Sequence, residues 1–176
     1  MQPDPVFAPE KSWQPLQERI EVETDPRCRK LLEQVCDHMQ REIGGELDAL
    51  MDTLVDDPRY HMWGFPVEAG PKGRETVREF YRAMIKSGGH RFHFDIKRIM
   101  VDHHAVITEG RIHQKMGGAD LIAAGMKEIE GEAVDPDGFY LSSNQIITVW
   151  PAAEDGRLVG EDIYMGGPFL SDVKKI

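Results

Sequence analysis

The feature that most constrains this chain is a run of alternating segments in its last half, entered from one amphipathic helix. Residues 139–150 and 157–165 each alternate apolar and polar side chains, and a turn from Ala153 to Gly156 joins them. Alternation of this kind marks strands with one face buried. Two earlier stretches read the same way. His90 to Met100 sets His90, Phe92, Phe94 and Ile96 on one face, with Arg91, His93, Asp95 and Lys97 on the other. After a turn at Asp102, His103 and His104, the segment from Ala105 to Lys115 sets Val106, Thr108, Gly110, Ile112 and Gln114 against Glu109, Arg111, His113 and Lys115. The two charged rows predict a cross-strand ladder on an outer sheet surface.

Helices precede these strands. Thr24 or Asp25 can cap a helix that has Pro26 at its first position, and Gly44-Gly45 can stop it. Its apolar stripe is Cys28, Leu31, Leu32, Val35, Met39 and Ile43. A second helix runs from Glu46 to about Leu54. The segment Tyr60 to Trp63 is a short strand, and 64–73 is a loop. A third helix runs from about Gly73 to Lys86, burying Val77, Phe80, Tyr81, Met84 and Ile85. Helices followed by hairpin-linked strands make an α+β pattern. Residues 1–23, rich in proline, read as an extended arm, 24–170 as one domain and 171–176 as a tail. The glycine-rich, acidic stretch 116–137 reads as a pocket lid or a mobile loop, with a short helix near Asp120 to Ala124.

Composition narrows the function classes. A chain of 176 residues suits one domain with a full core. The net charge of −10 disfavours a nucleic-acid or anionic-membrane surface. No apolar run approaches the roughly 20 residues of a membrane span. The first ten residues lack the basic start and apolar middle of a secretory leader. A soluble cytoplasmic protein is expected. Cys28 and Cys36 sit about 12 Å apart on one helix, too far for a disulfide.

Three segments carry a family resemblance. Residues 45–57, the helix 73–81 and the terminal strand 156–164 resemble the nuclear transport factor 2-like superfamily, SnoaL-like members included, over about residues 25–166. The resemblance implies a cone-shaped, cystatin-like fold, with a strongly curved, mainly antiparallel sheet wrapped on three helices. It also implies a homodimer and a small-molecule pocket. Relatives include polyketide cyclases, scytalone dehydratase, limonene-epoxide hydrolase and ketosteroid isomerase. Residue by residue the likeness is mixed. The isomerase pattern wants carboxylates where this chain has Tyr60 to Trp63 and Ile146. The epoxide-hydrolase pattern falls on Gly110, Ile112 and Ile163. The dehydratase pattern fits best, with His90 and the pair Ser142 and Asn144 in matching positions. Its aspartate near the first helix has no clear match; Glu42 or Asp48 are the substitutes.

The catalytic candidates are therefore His90, Asn144 and His38. An inward His90 beside Phe92 can take a proton from carbon next to a carbonyl; the other reading is a strand-end histidine bonded to backbone. Ser142 and Asn144 share a face with Ile146 and Thr148, so they meet either a ligand or each other. His38 lies near the inward stripe of its helix. Tyr60, Trp63, Ser142, Glu161 and Phe92 are the substrate-binding candidates. Glu161 points inward if Ile163 and Met165 do, and would then serve as an acid. No histidine or cysteine spacing matches a metal motif. The expected function is a cofactor-independent lyase or isomerase, acting by acid–base chemistry on a small apolar oxygenated molecule. The alternative is a non-catalytic ligand-binding or dimeric interaction protein of the same fold.

Overall fold

The computed structural model describes residues 7–64, 69–168 and 170–176. Residues 1–6 of the expected arm and 65–68 of the expected loop lie outside the described residues. A 3-10 turn at Pro9–Lys11 leads into helices α1 (Gln14–Val22), α2 (Pro26–Gly44) and α3 (Leu47–Asp52). Strand β1 (His61–Trp63) and helix α4 (Arg74–Ser87) follow, then strands β2 (Phe92–Val101) and β3 (Ala105–Gly117). Helix α5 (Gly118–Ala123) precedes a two-strand ribbon, β4 (Glu128–Ile129) and β5 (Glu132–Ala133). Strands β6 (Phe139–Pro151), β7 (Asp162–Met165) and β8 (Val173–Lys175) complete the chain.

The ends of α2 form as the sequence dictates. The Asp25 carboxylate accepts the Arg27 and Cys28 N–H groups, both at 2.9 Å, and Pro26 occupies the first turn. Gly45 closes the helix in the left-handed region, at φ 71°. These hydrogen bonds, with His103 beside the carboxylate, pull the Asp25 pKa down from 3.8 to about 2. A depressed folded-state pKa gives stability that is present above pH 3.8 and lost as pH falls through about 2. Asp25→Ala is expected to lower Tm by about 2–4 °C at pH 7, the size of one lost cap. The difference from the parent should shrink between pH 4 and pH 2 in a thermal melt series.

The core sheet runs in the order β1-β7-β6-β3-β2, with β8 also on β6. Among the described strands of this sheet, β1 and β7 pair in parallel and the other pairs are antiparallel. The even-numbered residues of β6, from Tyr140 to Trp150, all face inward and are buried, as the alternation predicts. Strand β2 keeps its expected register through Ile96 and then slips at a bulge between Ile96 and Arg98. Beyond the bulge Ile99 and Val101 pack on the core, and Met100 turns outward. Gly110 lies opposite Ile96, where a Cβ would stand 2.1 Å from the Asp95 carbonyl oxygen. Glycine thus lets β3 press against the bulged strand, which bends the sheet around the helices.

Three expectations need correction. Residues 14–22 of the expected extended arm are helical and pack on α2, because Pro15 sits in a first turn, where a missing N–H costs nothing. Leu16 is fully buried there, and the Ser12 hydroxyl accepts the Phe94 N–H at 3.0 Å. The expected tail contains β8, whose Val173 is buried. The segment 116–137 packs into a core of its own, in which Leu121, Val134, Tyr140 and Val173 are buried. No described residue of that segment lines the central pocket.

Candidate active site

Between α2, α4 and the inner sheet face lies a cavity of about 120 Å³. Its walls are largely apolar, formed by Met39, Phe80, Met84, Phe92, Phe94, Ile112, Ile146, Trp150 and Ile163, with Gln114 and Thr148 as polar groups among them. One pole is polar. Glu42 from α2, Tyr60 just before β1 and Glu161 just before β7 meet there. Each arrives by a separate route. Glu42 lies on the buried stripe of α2, one turn after His38. Tyr60 is anchored through its N–H to the Pro71 carbonyl, and the Glu161 carbonyl accepts the His61 N–H at 2.8 Å. The parallel β1–β7 pairing therefore holds Tyr60 and Glu161 side by side.

Behind this pole is a hydrogen-bonded chain with a definite direction. The Thr53 hydroxyl gives its one proton to the Leu50 carbonyl, at 2.6 Å. Its oxygen therefore accepts from His38 Nδ1, also at 2.6 Å. His38 Nε2 faces the Tyr81 hydroxyl at 3.1 Å and Glu161 Oε1 at 3.5 Å. The Tyr81 hydroxyl donates to Glu161 Oε1 at 2.8 Å, so Tyr60, at 2.7 Å, donates to Tyr81. Burial and the Glu161 charge push both phenols well above the usual tyrosine range, so they stay donors.

Glu42 stands apart from this chain. It is 7% exposed and accepts no hydrogen bond from the described residues. Burial, then the nearby Glu161 charge, raises its pKa well above the ordinary 4.5. One ring nitrogen of His38 and one oxygen each of Glu42 and Glu161 lie within 4.8 Å of one another. At that range the Glu161 charge adds to burial in disfavouring the ionised form of Glu42. Glu42 can thus give a proton, while Glu161, positioned by Tyr81, can accept one. A divalent cation would find two carboxylates here but few further oxygen ligands, and both His38 nitrogens already have partners.

The structure sorts the sequence candidates. Glu161, Tyr60 and Phe92 line the cavity. His38 is fully buried behind it and holds Thr53 and Tyr81 rather than the cavity wall. His90 does not share the inward face of Phe92 as expected. It falls in the turn after α4, which ends at Gly88 in the left-handed region, and β2 begins only at Phe92. Its ring lies beside Gly45, and burial lowers its pKa. Ser142 and Asn144 are buried on the inner face of β6, beyond the cavity lining, and Asn144 donates to Ser142 at 3.2 Å. Trp63 is 42% exposed on the outer face, stacked with His61 and Tyr164. The expected charged ladder is partly buried: His113 is 3% exposed and bonded to Ser143 at 2.7 Å. Tyr81 was absent from the candidate set, and Glu42 entered only as a substitute. The available sign was spacing, since His38 and Glu42 fall three and seven residues after Val35, on the apolar stripe itself.

A curved sheet closed by helices over a largely apolar cavity with one acidic pole is a nuclear transport factor 2-like fold. The SnoaL-like domain family matches residues 33–160, and the chain belongs to it. Solved structures share the fold at low identity. SalBIII, described as an epoxide hydrolase/cyclase-like enzyme in pyran ring formation in the polyether salinomycin, has a TM-score of 0.58 and 12% identity, over 84% of this chain and 97% of that one. A SnoaL-like polyketide cyclase from Shewanella denitrificans has a TM-score of 0.58 and 13% identity, over 77% and 89%. An LEH-like epoxide hydrolase of M. tuberculosis has a TM-score of 0.54 and 20% identity, over 80% and 85%. No curated protein matches the sequence.

Proposed function

We propose that this protein is an acid–base enzyme that needs no cofactor and acts on a small, apolar, oxygenated molecule, cyclic substrates included. The observation that carries the reading is the Glu42–Glu161 pair, two buried carboxyls with unlike environments at the polar end of one apolar cavity. Environments that push two titratable groups apart assign acid and base. Glu42 protonates a substrate oxygen as a ring or C–O bond opens. Glu161 takes the matching proton, from carbon in a lyase or isomerase, or from a hydroxyl or water nucleophile in a cyclase or hydrolase. Tyr60 and Tyr81 hold Glu161 in place and leave the acid free to face the substrate.

The test is a panel of small alicyclic epoxides and hydroxy ketones, incubated with the protein in ¹⁸O-water and followed by mass spectrometry. Label in the product defines a hydrolase. Conversion without label defines an isomerase, lyase or cyclase. Absence of turnover across the panel, or turnover that survives Glu161→Gln, overturns the proposal and favours a ligand-binding role.

The same reading includes a homodimer formed through the outer sheet face. Trp63, Tyr164 and Ile147 stand in one cross-strand row and are 42%, 43% and 38% exposed. An apolar row of this kind in the middle of a sheet face suits a second copy. Sedimentation velocity is expected to give twice the 20.0 kDa chain mass, and Tyr164→Glu to give the single mass. A monomer in the parent protein would refute the pairing.

A further inference from the structure

The cavity wall carries two acids and no basic side chain; the nearest basic group, His38, lies behind it with Nε2 3.5 Å from Glu161 Oε1. Glu42 and Glu161 are the only lining residues that carry formal charge; no lysine, arginine or histidine is among the described residues of the wall. Five aromatic rings complete it, those of Tyr60, Phe80, Phe92, Phe94 and Trp150. Glu42 is more than nine-tenths buried and has no hydrogen-bond donor among the described residues. The site thus presents two carboxyl groups at its pole and ring faces along its sides, with the Gln114 amide and the Thr148 hydroxyl as the other polar groups of the wall.

We propose that this pocket selects lipophilic organic cations, and that a protonated amine on a compact alicyclic or aromatic body binds with its ammonium between Glu42 and Glu161. An ammonium offers three N–H donors and no acceptor, which complements two carboxyl groups and the Tyr60 oxygen. Its positive charge is attracted to ring faces, most strongly to a tryptophan. An anionic ligand of equal size meets repulsion from Glu161 and finds no cation to replace its water. A bare metal ion gains little from the apolar wall, whereas the body of an amine fills it. The ammonium also stands where positive charge develops once Glu42 protonates a substrate oxygen. The inference needs the pocket only, not turnover.

Proton traffic supports it. The groups facing Glu42 are Glu161, Tyr60, Tyr81 and His38. Burial and Glu161 keep a proton on Glu42, and an arriving ammonium does the same neutralising work. Binding should therefore expel that proton, so affinity rises with pH until the amine itself loses its charge.

The experiment is isothermal titration calorimetry at pH 7 with cyclohexylamine, cyclohexanol and cyclohexanecarboxylate, each in phosphate and in Tris. The amine is expected to bind about tenfold or more tighter than the alcohol, the range of a desolvated cation–carboxylate contact. The carboxylate should not bind. The apparent enthalpy for the amine should differ between the buffers, reporting proton release. Glu42→Gln with Glu161→Gln should bring amine and alcohol within about twofold of each other, and retained alcohol binding shows the pocket is intact. Equal affinity for amine and alcohol overturns the proposal. So does an amine preference that survives the double substitution, since it would then reflect only the overall charge of −10. Failure of all three probes also overturns it, while the ¹⁸O assay and Glu161→Gln test the catalytic reading separately.

Discussion

Glu42→Gln is expected to stabilise the protein at pH 7. The carboxyl is buried, lacks a hydrogen-bond partner among the described residues and faces Glu161. Its folded-state pKa is raised above 4.5, so its contribution to stability is full below pH 4.5. As pH rises past that point the unfolded chain releases the proton and the folded chain retains it, and the protein loses stability. A glutamine fills the same space and never titrates, which removes the loss. Relief of a buried, poorly compensated ionisable group is worth about 1–3 kcal/mol. For a chain of this size each kcal/mol moves Tm by roughly 2–4 °C. Thermal melts from pH 4 to pH 8 should show the variant and parent close at pH 4 and the variant ahead at pH 7. A residue that costs stability where it sits is best explained by use. A variant less stable than the parent at pH 7, or melts with the same pH dependence, would show that the Glu42 carboxyl is satisfied in the fold.

The fold was legible because its determinants are local and periodic. The cap at Asp25 and Pro26, the stop at Gly45 and the alternation along β6 each follow from backbone requirements that neighbours in sequence satisfy. The places where reading failed are those where a distant contact decides. Helix α1 hides in a proline-rich stretch because its stability comes from packing Leu16 against α2. The bulge in β2 is set by the close approach of Gly110, one strand away. Sequence alternation alone carries the wrong face through to Met100.

The site was legible in part, for the same reason. Glu161 could be placed only conditionally, inward if Ile163 and Met165 were, and the cavity lining, which holds Ile163 and Glu161 together, meets that condition. His90 was set on the inward face with Phe92, but two glycines after α4 decouple it from the strand that follows. Its histidine chemistry drew the reading there, and geometry moves the chemistry to carboxyls. His38 and Glu42 were visible as an i, i+4 pair, but polar residues on a helix usually face solvent. Their depth depends on Thr53, Tyr81 and the inner sheet face closing over them, and the one-dimensional pattern does not contain that.

Glu161→Gln is expected to reduce turnover by about 10²–10⁴-fold, the usual worth of a positioned general base. The amide oxygen can still accept the Tyr81 hydroxyl, and the backbone bond from His61 to residue 161 is untouched. Fold and cavity should therefore persist, and Tm should move far less than activity does. Tyr81→Phe tests the neighbouring step. It removes the donor that orients Glu161 and also the acceptor for Tyr60, leaving the carboxylate in place but free to turn. Its expected loss is about tenfold to a hundredfold in kcat, with KM changed little, because the phenol acts through Glu161 and not on the substrate. The two variants thus separate a group that moves the proton from one that aims it. If Tyr81→Phe proved as damaging as Glu161→Gln, the phenol would have to carry the proton itself, as a relay between Tyr60 at the cavity wall and Glu161. The proton path would then run from Tyr60 through Tyr81, with Glu161 as its terminus and no direct contact between Glu161 and substrate.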